Sequence, residues 1–331
     1  MRSFVFHRFQ RKSRLVGLTL LSLVAGLNGS CMAAWPDKPI TIIVGAAPGG
    51  TGDQAARIIS EKLGSDLGTT VVVENKAGAG GILGSQYVSR SAPDGYTIMM
   101  ANIGSHAINY SLYKKLPYKP EDFSAITLVI SNPNILVVNS STPFLTVAQL
   151  VAAIKKEPSL YSFGSAGAGQ SPHLSGEMFM QRVGIQVPHI PYKGAGPATG
   201  ALLGNQFTFM IATAPSVMAQ IKAGKLRALA VTSNVRMPEL AEVPTMAEAG
   251  VPNMLVTAWF GLFAPAATPQ EIVNRLQQAT AKVLANADIE KRFREMGGIA
   301  GGNSPSEFNQ FVQTEIANWK QTVEAANLTQ E

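Results

Sequence analysis

Apolar residues along this chain follow two alternating patterns: short unbroken runs, and longer stretches in which they return every third or fourth position. ITIIV at 40–44 is of the first kind and reads as a buried strand of a parallel sheet. QAARIISEKL at 54–63 is of the second, with Ala55, Ile58, Ile59 and Leu63 on one helical face. TTVVVE, the helix-like ILGSQYVS and then YTIMMA continue the alternation. It restarts at Asn134 with NILVV, TVAQLVAAIKK and YSFG, and proceeds through PHLSGEMFMQRV, GPATGALLG, FTFMIA, VMAQIKAG and LRALAV to about Val256. AWFGLFAP then precedes two helical stretches, 269–285 and 305–326. Repeated βα units predict an α/β chain whose sheets are mainly parallel and flanked by helices. The last helix needs a sheet to cover, most simply that of the first half, which makes the first domain discontinuous.

Two glycine-rich loops sit in different halves of this pattern, each between a strand-like and a helix-like run. The first comprises Ala46, Ala47, Pro48, Gly49, Gly50, Thr51, Gly52 and Asp53. The second comprises Ser165, Ala166, Gly167, Ala168, Gly169, Gln170, Ser171 and, beyond Pro172, His173. The first N–H groups of a helix lack intrahelical partners, lie at its positive dipole end, and are open to a ligand oxygen where glycine removes the side chain. Two such loops facing each other would clamp a small anion. The plainer alternatives are tight strand-to-helix turns, with Asp53 capping its own helix and Ser165, Gln170 and Ser171 capping the other. NKAGAGG at 75–81 is a third loop of this kind, either at the cleft mouth or a simple turn.

Composition changes the picture chiefly at the N-terminus. Arg2, Arg8, Arg11, Lys12 and Arg14 precede the uncharged LVGLTLLSLVAGL, and small residues close the segment at Ala34. Residues 1–34 are therefore expected to be a cleaved secretory signal that sends the protein to the periplasm. Without them, 22 of the 27 Lys and Arg face all 21 Asp and Glu, so the chain is nearly neutral and nucleic acid is not an expected partner. Cys31 is the sole cysteine. Asn28 stands where a lipidation signal usually has an aliphatic residue, so a free protein is favoured over a lipid anchor at Cys31, and no disulfide is expected.

The ordered strings WPDKPITIIV, PGG with Asp53 and Arg57, VVVENKAGAGG, APDGYT, SHAINYSLYKKLPY, GSAGAGQSPHLSGE, HIPYKGAGPA, IKAGKLRALAVTS, VPTMAEAG and WFGLFAPAATP resemble the tripartite tricarboxylate transporter receptors, the Bug or TctC family, over essentially all of residues 35–331. The resemblance implies a two-lobed periplasmic-binding-protein fold of the type II kind, with lobe 1 at 35–133 plus 256–331 and lobe 2 at 134–255. It also implies an extracytoplasmic receptor that closes on a small organic carboxylate and passes it to membrane transporter subunits. Carried over by position, the facing loops are Ala47 to Asp53 and Ser165 to His173. Two places depart from the family pattern: Gly45 and Ala46 replace a proline and an aromatic, and Ala212 and Thr213 replace an acidic residue and an asparagine. The grip on a carboxylate is thus expected to persist while the solute, a dicarboxylate, amino acid or aromatic acid, is left open.

Other functions find less in the residues. The first loop has neither GxGxxG order nor a phosphate-loop lysine, and GxSxG is absent, although Ser171 and His173 raise the question of a hydrolase. His173 and Glu177, four apart, have no third ligand near them in sequence, and His106 and His189 stand alone, so neither a metal nor a cofactor is expected. Trp35, Trp259 and Phe260 read as core or hinge packing. A non-enzymatic, monomeric receptor is the expectation, and a sensory binding protein is its nearest alternative.

Overall fold

A computed structural model describes residues 35–325, so the signal sequence expected at 1–34, and Cys31 with it, lies outside the described residues. The chain divides after Asp37, and the unit beginning at Lys38 carries every numbered strand and helix. β1 (Ile40–Val44), β2 (Val71–Asn75) and β3 (Thr97–Asn102) alternate with α1 (Thr51–Leu67) and α2 (Ile82–Ser89). β1 pairs in parallel with both β2 and β3. A π-helical turn, Gly104–Ile108, and the short α3 (Asn109–Leu112) then lead to β4, a long strand from Phe123 to Asn139.

β4 belongs to both halves of the sheet. Up to Pro133 it pairs with β9 (Thr257–Pro265) and, at Ile130 and Ser131, with the short β10 (Ile299–Ala300), and from Asn134 its partners are β7 (Phe209–Thr213) and β8 (Leu226–Val231). Pro133 has no N–H to give a ladder, which suits the position at which the partner changes. The second half also holds α4 (Val147–Lys156), β5 (Phe163–Ser165), α5 (Ser171–Val183), β6 (His189–Pro191), α6 (Ala195–Leu203) and α7 (Ala214–Lys222). β5 runs parallel to β6 and β7. α8 (Gln270–Leu284), α9 (Ala287–Glu295), the short β10 (Ile299–Ala300) and α10 (Pro305–Ala325) follow β9.

The sheets are less parallel than the alternating pattern predicts. β9 runs antiparallel to β3 and β4, and β4 runs antiparallel to β7 and β8. The reason is topological: β4 carries the chain out of the first half and β9 brings it back. The stretch 123–133 is missing from the predicted strands because Ser124, Thr127, Ser131, Asn132 and Pro133 break its apolar run.

Successive β4 side chains in the second half go to opposite faces. Leu136 and Val138 join Phe163, Phe179 and Phe209 on one face, while Ile135 and Val137 join Ala212 and Val217 on the other, all fully buried. That double burial explains the continuous run NILVV. In the first half, α10 covers the returning strand: Phe308 meets Trp259 edge-on at 5.8 Å, and the Trp259 indole N–H donates to Glu315 Oε2 at 2.9 Å.

Gly261 of β9 is what allows α10 to lie so close. A Cβ there would collide with the Phe308 ring and come within 2.9 Å of the Thr127 carbonyl oxygen. Gly261→Ala is expected to destabilise the protein by about 2 kcal/mol through overpacking, read as a lowered midpoint in urea or thermal unfolding.

Candidate functional site

The first turns of four helices follow the carboxyl ends of β1, β5, β6 and β7 and converge on one cleft, the edge at which open α/β sheets bind ligands. The cleft holds a narrow, partly open cavity. Its walls include Ala46, Gly50, Thr51, Gly52 and Asp53 from the first loop, and Ala166, Gln170 and Ser171 from the second. Ala47, Pro48, Gly49, Ser165, Gly167, Ala168, Gly169 and His173 are not among its lining residues. They brace the loops or join them across the cleft.

α1 presents the richest donor group. Gln54 N–H already bonds to Gly50 C=O at 3.0 Å, which leaves the N–H groups of Thr51, Gly52 and Asp53 without intrahelical partners. Asp53 is buried beneath them and holds the loop in shape. Its carboxylate accepts from Gly49 N–H at 3.0 Å, Arg57 Nε at 3.0 Å and Asn75 Nδ2 at 3.1 Å. Asn75 also donates to Ala46 C=O at 2.9 Å. Burial works against the Asp53 charge, but the hydrogen bonds from Arg57, Gly49 and Asn75 outweigh it and hold the carboxyl below its usual range. All these contacts are with its own lobe, so Asp53 braces the loop.

The opposite wall is poorer in donors than the sequence comparison of the two loops implies. In α5, Pro172 has no N–H and His173 N–H bonds to Gln170 C=O at 2.9 Å, leaving Ser171. α6 contributes Ala195 to the wall, and α7 contributes its cap residue Thr213. The remaining lining is Val44, Gly45, Met100, Asn102, Ile103, Pro172, Ala258 and Phe260. No lysine or arginine is among the lining residues. Phe260, read from sequence as packing, is packed and lines the cavity as well; β9 brings it there from more than 200 residues beyond the first loop, which no local motif could signal.

Several contacts fasten the two halves together. Ala47 N–H donates to Lys193 C=O at 2.9 Å. The Thr51 and Thr213 hydroxyls meet at 2.8 Å, and Gln54 Nε2 reaches Pro215 C=O at 3.4 Å. Gln170 Nε2 donates to Gly80 C=O, so the third glycine loop faces the second across the cleft. Gly196 lies so close to Pro48 that an added Cβ would strike its carbonyl oxygen.

Behind the second loop stand two stacked histidines. His173 and His189 have ring centroids 4.2 Å apart. His173 Nδ1 accepts from Gly169 N–H at 3.3 Å, which places its proton on Nε2, 3.6 Å from Glu177 Oε1. His189 Nε2 lies 2.6 Å from Ser165 Oγ, which in turn accepts from Gly167 N–H at 3.1 Å. Ser171 Oγ instead accepts from Asn134 Nδ2 at 2.7 Å. Among the described residues, no group of three or more His, Cys, Asp or Glu is placed to hold a metal ion. His106 is elsewhere, buried against Phe123 and Phe263 at ring distances of 4.4 and 4.5 Å.

The family model described as tripartite tricarboxylate transporter family receptor matches residues 55–328. A UPF0065 protein in the tcbD-tcbE intergenic region of Pseudomonas sp. (strain P51) is 36% identical over 315 residues, 95% of this chain and 94% of that protein. The structure of the periplasmic binding protein BugD is similar at 34% identity with a TM-score of 0.87, covering 90% of this chain and all of that one. R. palustris Rpa4515 with adipate is also 34% identical, with a TM-score of 0.86 and coverage of 88% and 98%.

Burial lowers the His173 pKa to about 4 and those of His106 and His189 to about 3. Each folded value lies below the unfolded value of about 6.5, so the fold favours the neutral ring; that stability is present in full above pH 6.5 and declines as pH falls toward the folded values. Thermal unfolding between pH 8 and pH 4 is expected to give a constant Tm above pH 7 and a falling one below 6.5, with about 2 kcal/mol lost by pH 5 for each of the buried His106 and His173. A Tm that is unchanged down to pH 5 would contradict neutral burial of these two rings.

Proposed function

Because the chain belongs to the tripartite tricarboxylate transporter receptor family, we propose that its two lobes close on a small organic carboxylate for delivery to membrane transporter subunits. The lobes are residues 35–133 plus 256–331, and 134–255. The first-turn amides of α1, opening on a cavity lined by no basic side chain, carry this reading. The carboxylate bound to the adipate complex of the R. palustris relative supports the ligand class. Export through the signal at 1–34, a monomeric state and the absence of catalytic turnover belong to the same proposal. Against the hydrolase pair raised by the sequence, Ser171 hydrogen-bonds Asn134 while His173 is engaged by Gly169 and Glu177, so these two do not pair as nucleophile and base.

Closure is the central step. Hydrogen bonds from Thr51 to Thr213, Gln54 to Pro215 and Ala47 to Lys193 hold the two sides of the cleft together, so a metabolite enters and leaves when the lobes part. The solute carboxylate first meets Thr51, Gly52 and Asp53 on the open lobe. Closure then adds contacts from Ser171 and Ala195, and the equilibrium shifts by what those contacts contribute. Excluding water strengthens each N–H contact to the anion.

Gly196→Ala tests the mechanism, because its Cβ collides with Pro48 only across the cleft and alanine is otherwise favoured in a helix. The variant is expected to keep or raise its unliganded Tm and to lose tenfold or more in affinity by calorimetry, using a carboxylate found by thermal shift. Full affinity in that variant would sink closure as the binding step.

A further inference from the structure

Building on the carboxylate-receptor reading, we infer that the solute is a monocarboxylate with an uncharged, largely apolar body, unlike the diacid bound by the adipate complex. The cavity has one place equipped for an anion. Three successive amides lie together at the start of α1. The facing helices each carry a proline in their first turn, at Pro172, Pro197 and Pro215, and each proline removes a donor. The polar groups on that wall are already engaged within the protein: Gln170 Nε2 donates to Gly80 C=O, the Thr213 hydroxyl meets those of Thr51 and Ser216, and Ser171 Oγ accepts from Asn134, beside the apolar Ala166, Pro172 and Ala195.

The surface beside Gly50 and Gly52 is apolar. A Cβ at Gly52 would sit 3.1 Å from the Phe260 ring and 3.7 Å from Met100, and one at Gly50 would sit 3.6 Å from the Ala195 methyl. Val44, Ile103 and Ala258 extend this surface. Phe260 is 8% exposed and Ala258 fully buried, so a second ionised group placed there would lose its hydration with no cation to replace it. A methylene chain or ring meets none of these costs.

Calorimetry on the purified protein with butanoate against succinate, hexanoate against adipate, and phenylacetate against homophthalate tests the inference. At least one monocarboxylate is expected to bind tenfold tighter than its matched diacid. Pro172→Ala, which restores an N–H on the facing wall, is expected to raise diacid affinity about threefold and leave monocarboxylate affinity unchanged. Diacids binding as tightly as every monocarboxylate, or equal gains for both classes in Pro172→Ala, would overturn the inference and leave the receptor reading standing. If neither class binds, both fall.

Discussion

Backbone N–H groups at the start of α1 must find acceptors, and nothing in the helix can supply them. Most of the cleft can be understood as the setting for that unmet demand. A lysine or arginine in the wall would satisfy an anion more strongly but would also resist its release; amides fixed by a helix give directed, moderate contacts. Their positions must then be exact to a fraction of an ångström, and Asp53 provides this by binding Gly49, Arg57 and Asn75 at once. The charge of Asp53 is balanced by Arg57 at 3.0 Å, so a carboxylate can brace an anion site without cancelling it.

Much of this site is visible in the amino-acid sequence because it is local. The first loop supplies five lining residues in one stretch, and glycine, threonine and aspartate at a helix start carry a recognisable physical meaning. The second loop was legible as a turn and misleading as a matching donor set: Pro172 and the short His173 to Gln170 bond remove the amides that the glycines promise. Met100, Asn102, Ala258 and Phe260 come from strands whose apolar runs are those of any buried sheet. Only the pairing of β3 with β9, at Met100 opposite Leu262 and Asn102 opposite Phe260, brings them together. The antiparallel course of β9 was hidden for the same reason, since orientation depends on where the chain has been.

Gly45 and Ala46 gain a structural reason. A Cβ at Gly45 would lie 3.2 Å from both the Cα and the carbonyl oxygen of Gly81, so the absent side chain lets the first and third glycine loops touch. The third loop in turn meets Gln170 through Gly80. Three glycine loops therefore form one contact chain, of which two line the cavity. Thr213 has also acquired a partner: its hydroxyl meets Thr51 at 2.8 Å and Ser216 at 3.1 Å, a contact across the lobes rather than a polar group held out to solute.

The same strand that joins the lobes also positions the second loop. Asn134 is fully buried in an otherwise apolar run, where a polar side chain is costly unless it is hydrogen-bonded. Its Nδ2 donates to Ser171 at 2.7 Å and Ser175 at 2.8 Å, tying the first turn of α5 to β4. Its backbone N–H donates to the Thr232 hydroxyl at 2.8 Å, and that hydroxyl donates to Val256 C=O at 2.6 Å. Both chain crossings between the lobes, at Asn134 and at Thr232 to Val256, therefore meet in one buried knot that also holds Ser171. A rotation at this knot must carry α5 as a rigid piece toward or away from α1, because loosening the helix from β4 would leave Asn134 with a buried, unsatisfied amide. The position of Ser171 in the cavity wall and the junction of the two halves of the sheet are in this way set by the same few hydrogen bonds.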